Sequence, residues 1–196
     1  MLSPASARQP LTAVSRCFLF LVNYARMRPD VAVKAIPVLQ HVSLAPCGSS
    51  LALRARADSP QDMEDPNPLV RALALRTMSY IHVREFVQAT VPVVKHLLRD
   101  PDPYVRKTAA YCVAKLYDHD RHMVEKSDLI DRLNGLLRDD NPTVVASALA
   151  GLMDIWERSD AIKLTIDYSN ASKMVAILPD CSEYVVRALP HNRFPY

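Results

Sequence analysis

The stretch 118-DHDRHMVE-125 holds the residue types best suited to chemistry, with His119 and His122 three apart and Asp118 and Asp120 beside them. On a helix that spacing turns both imidazoles to one side, as a zinc site requires. A metal centre needs further protein ligands, and no second His or Cys pair accompanies this cluster. It reads as a solvated turn between helices. Ser127-Asp128 and Ser159-Asp160 each pair a hydroxyl with a carboxylate, yet both fall where helices are expected to begin, so capping accounts for them without nucleophilic chemistry. Cys17, Cys47, Cys112 and Cys181 are widely scattered, with neither zinc spacing nor a disulfide framework. Cys112 lies within a helical pattern, as a small packed side chain would. No catalytic, cofactor-binding or metal residue is therefore assigned, and the chain is read as a non-enzyme.

The elements that would position these residues are marked by proline. Pro68, Pro103 and Pro142 each follow an Asp or Asn and open an apolar run, and they recur at intervals of 35 and 39 residues. Proline suits the first helical position because its φ is preset and its missing N–H would have had no intrahelical partner there. The preceding Asp102, Asn67 or Asn141 can cap the free amides of the first turn. Counting 2, 6, 10 and 13 residues on from each proline gives Val70, Ala74, Met78 and Ile81, then Val105, Ala109, Val113 and Leu116, then Val144, Ala148, Leu152 and Ile155. All are apolar, which makes one buried stripe per helix with alanine in the same slot each time. Residues 85–99 and 123–138 read as the helices preceding two of these, so the unit is a helical hairpin. The expected fold is all-α, a helical-hairpin (HEAT/armadillo-like) α-solenoid.

Composition agrees with this reading. Three glycines and fifteen prolines among 196 residues disfavour phosphate-cradling loops and multi-hairpin sheets but fit short helices. The net charge of +3 arises from 24 basic and 21 acidic residues interleaved along the chain, so no dense basic block points to nucleic acid. Arg71, Arg76, Arg106, Lys107 and Lys115 read as a structural basic slot (Arg71, Arg106) and as solvent-facing helix positions rather than as a lipid site. Residues 1–29 carry Arg8, Arg16, Arg26 and Arg28 with no acid, a composition shared with mitochondrial presequences, although chance yields such stretches too.

Within residues 90–116, Pro92 inside the first helix, Asp100 in the turn and Arg106 early in the second resemble the HEAT repeat, in which such Asp and Arg residues link successive turns. The runs 23-NYARMRPDVAVKAI-36, 62-DMEDPNPLVRALALRTM-78, 102-DPYVRKTAAYCVAKLYD-118 and 180-DCSE-183 resemble the amino-terminal trunk of a beta-adaptin, the large subunit of a clathrin-adaptor complex. The resemblance divides the chain into an unmatched leader at 1–17, the start of an adaptin trunk at 18–40, an inserted loop at 41–61 of the kind a retained intron leaves, helical repeats at 62–183, and a divergent tail at 184–196. It implies a structural, interacting fragment of an adaptor subunit in vesicle-mediated protein transport. The implied partners are the other adaptor subunits, with clathrin reached through regions of the full-length subunit outside this fragment. The implied location is cytoplasmic, peripheral on trans-Golgi, endosomal or plasma-membrane coated vesicles. It also implies a contact with an Arf-class GTPase, for which Val33 and Ile36 are the matching positions. The alternatives are a stand-alone HEAT scaffold or transport receptor, and an enzyme. Repeat physics adds that apolar runs at 11–25 and 170–178 need covering neighbours, so self-association of the isolated chain is expected.

Overall fold

The computed structural model describes residues 9–44 and 67–159. Every regular element among them is helical: α1 (Gln9–Met27), α2 (Pro29–Ala32), α3 (Ile36–Leu44), α4 (Pro68–Tyr80), α5 (Arg84–Leu97), α6 (Pro103–His119), α7 (Arg121–Lys126), α8 (Leu129–Gly135) and α9 (Pro142–Arg158), with 3-10 turns at Val33–Ala35 and Leu136–Arg138. The fold is the all-α, helical-repeat class expected from the proline spacing. The chain forms two compact units, Met1–Leu97 and Leu98–Tyr196.

The three marker helices begin as their sequences dictate. Asn67, Asp102 and Asn141 accept hydrogen bonds from the backbone N–H groups of Leu69, Tyr104 and Thr143 at 3.0, 2.8 and 3.0 Å, and each cap is followed by proline. Of the twelve stripe positions all but Val70, which is half-buried, lie in the core. In the first unit α4 packs against α1, α3 and α5, around Leu39, Leu75, Met78 and Phe86. Gln40 Nε2 donates to the Ala89 carbonyl at 3.0 Å, tying α3 to α5. α5 runs on through Pro92.

In the second unit α9 packs on α6 and α8, while α7 packs on α6. The α6–α9 seam is lined by small residues. A Cβ at Gly151 would lie 3.2 Å from the Ala110 carbonyl oxygen and 3.6 Å from Leu133 Cδ2, so glycine lets the two helices approach where any side chain would press on backbone. Ala109, Ala110 and Ala148 are fully buried in the same unit.

Two expectations are corrected. The helix expected over 123–138 is broken: α7 ends at Lys126, Ser127 is extended, and α8 starts at Leu129. Ser127 Oγ donates to the Val124 carbonyl at 2.7 Å and accepts from the Leu129 N–H at 3.4 Å, so a side chain satisfies backbone groups that a continuous helix would have paired. Residues 41–44, expected in a loop, are instead the last turn of α3, which ends at Leu44 with Ser43 buried on the same face as Leu39. The rest of 41–61, the tail at 184–196 and residues 1–8 of the leader lie outside the described residues, and α1 runs without a break across the expected 17/18 boundary.

Candidate interaction surfaces and polar joints

The most constrained polar group is Arg106, one turn into α6. Its Nε and Nη2 donate to the two carboxylate oxygens of Asp139 at 2.7 and 2.9 Å. Nη1 donates to the carbonyls of Asp100 and Pro101 at 2.8 and 3.0 Å. The planar guanidinium fork thus joins the turn before α6 to the turn before α9. The two turns are built alike. Asp100 accepts from the Asp102 N–H and Asp139 from the Asn141 N–H, both at 2.9 Å. The Asp139 hydrogen bond, opposed by burial, raises the Arg106 pKa above its ordinary value. The expected Asp–Arg ladder is therefore present at this joint, and it closes on Asp139 as well as on the Asp100 backbone. Arg71, in the equivalent slot of α4, is also buried, whereas the corresponding residue of α9 is Val145, equally buried but apolar.

A second polar cluster lies at the far end of α6. Arg121 Nε donates to Glu125 at 2.7 Å and its Nη2 to the Ser159 hydroxyl at 2.9 Å, while its guanidinium sits 5.9 Å from the centre of the Tyr117 ring. The Tyr117 hydroxyl donates to the same Glu125 oxygen at 3.0 Å. Arg121, then Tyr117, hold the Glu125 carboxyl below its ordinary range. Arg158 pairs with Asp118 and, at 2.9 Å, with Asp154. This cluster went unread in the sequence, although the Arg121–Glu125 spacing of four was a visible signal.

These contacts decide the fate of the residues that resembled a metal site. His119 ends α6, His122 lies exposed on α7, and Asp120 is the cap between them, accepting from the Met123 N–H at 2.9 Å. The expected solvated turn is thus a one-residue junction of two helices, because the Asp120 cap starts α7 at once. Among the described residues no group of three or more His, Cys, Asp or Glu could hold a metal ion. Ser159 closes α9 rather than opening a helix, while Asp160 lies outside the described residues.

Val33 and Ile36 are half-buried, in the turn before α3 and at its first residue. They are neither sealed in the core nor fully offered to solvent. The more exposed positions beside them are Lys34, Pro37, Val38 and His41. Of the basic residues, Arg76 and Lys115 are exposed, but Lys107 is half-buried. Among the described residues the most exposed large apolar side chains are Leu19, Phe20 and Met27 on α1 and Val38 on α3. No helix among the described residues is long and apolar enough to cross a membrane.

Over residues 69–189 the chain matches the family model described as Cnd1, non-SMC mitotic condensation complex subunit 1. It is 41% identical over 167 residues to the AP-1 complex subunit beta of Dictyostelium discoideum, an alignment covering 85% of this chain and 16% of that protein. It is 38% identical over 173 residues to the AP-2 complex subunit beta of Schizosaccharomyces pombe, covering 88% of this chain and 23% of the relative. The human AP-1 complex subunit beta-1 is 38% identical over 168 residues, 85% of this chain and 16% of its own length. The chain thus spans less than a quarter of the length of these curated relatives. Because the family model covers more than half of the chain and the adaptor beta subunits match it well beyond those repeats, the chain belongs to the helical-repeat family of that model and, within that repeat class, is a relative of the AP-1 and AP-2 beta subunits, the beta-adaptins.

Proposed function

We propose that this chain is a trunk segment of a beta-type adaptor subunit and works by protein contact in vesicle-mediated transport. The observation that carries the reading is the 41% identity that extends over 85% of the chain, well outside the repeat stretch matched by the condensation-complex model. A match confined to repeats follows from shared repeat geometry, whereas an alignment that continues beyond them does not. The same reading treats residues 18–40 and 62–183 as adaptin trunk and 41–61 as an insertion between them. Its partners are the other adaptor subunits, with clathrin engaged through parts of the relatives that this chain does not span. Its location is the cytoplasmic face of coated membranes at the trans-Golgi network, endosomes or plasma membrane. A non-catalytic role is supported by how the reactive residue types are used: Asp120 as a cap, Glu125 as an ion-pair partner and Ser127 as a bridge between two helices.

Co-expression of the full chain with the remaining AP-1 subunits tests this reading. A stoichiometric co-purifying complex is expected, and recovery with condensation-complex subunits instead would overturn it. The GTPase contact is proposed at Val33 and Ile36. Half-burial there allows one edge of each side chain to meet a partner while the other packs inward. Val33→Asp with Ile36→Asp should abolish pulldown of an Arf-class GTPase. Loss of helical circular dichroism in that variant would instead make both residues purely structural.

A further inference from the structure

We draw no further inference here: the strongest candidate, the outward face of α1 on which Leu19, Phe20 and Met27 are 63%, 68% and 79% exposed, is an unpartnered apolar face, and nothing in the structure shows what covers it.

Discussion

Glu125 is held by two partners that prefer it ionised, Arg121 and the Tyr117 hydroxyl. Its folded pKa is therefore below its unfolded value, and the stability it contributes is present above the unfolded pKa and lost as pH falls through the folded one. In a pH titration followed by NMR, Glu125 should titrate below the ordinary glutamate range, and Arg121→Gln should bring it back toward that range. An unchanged titration in the variant would mean that the Arg121 contact is not formed in solution. Arg106 differs in kind because it is largely buried, with 18% side-chain exposure against 9% for Asp139. Arg106→Met keeps most of the apolar stem but leaves Asp139 ionised in a poorly solvated place, so a loss on the order of 3 kcal/mol is expected. Denaturant melts of the single variant and of the double variant with Asp139→Asn check this. The double variant should recover part of the loss, and purely additive losses would dismiss the pair as a coupled joint.

At the scale of elements, α6 and α9 approach closely where Gly151 faces the Ala110 carbonyl. Ala109 is fully buried. Ala109→Leu must overpack the core around it and should cost about 1–3 kcal/mol. Lys115→Leu, on the exposed side of the same helix, should change stability by less than about 0.5 kcal/mol. Thermal melts compare the two, and equal losses would mean that the buried face of α6 has been misassigned. Lys107 is unsuitable as the exposed control because it is half-buried. The break between α7 and α8 shows the limit of periodic reading. The apolar residues Val124, Leu129 and Leu133 are all buried, but local hydrogen bonds of Ser127 settle where one helix stops and the next begins.

For the whole molecule, an apolar residue that solvent reaches is a liability wherever several lie together. Leu19 and Phe20 are adjacent on α1, and Phe20 stacks on Tyr24 at 5.7 Å, which leaves a broad aromatic ridge outward. Sedimentation of the purified chain at micromolar concentration should show concentration-dependent association, reduced by Leu19→Gln with Phe20→Gln. A monomer at every concentration would remove the expectation. The tail and the second apolar run that the sequence also pointed to, at 184–196 and 170–178, lie outside the described residues.

Much of this protein is written locally. The Asp/Asn–Pro signals start α4, α6 and α9 because a cap and a preset φ act within one turn, and the apolar stripe selects the buried face because helical periodicity is a property of the segment alone. The relationship to beta-adaptins was likewise legible, carried by whole phrases of sequence rather than by any contact. Tertiary structure alone decided the rest. That Arg106 grips Asp139, 33 residues away, depends on how one turn is set beside the next. That Val33 and Ile36 come out half-buried and Lys107 partly covered depends on which neighbours crowd each face, and burial is a sum over the surrounding chain that no single helix can specify.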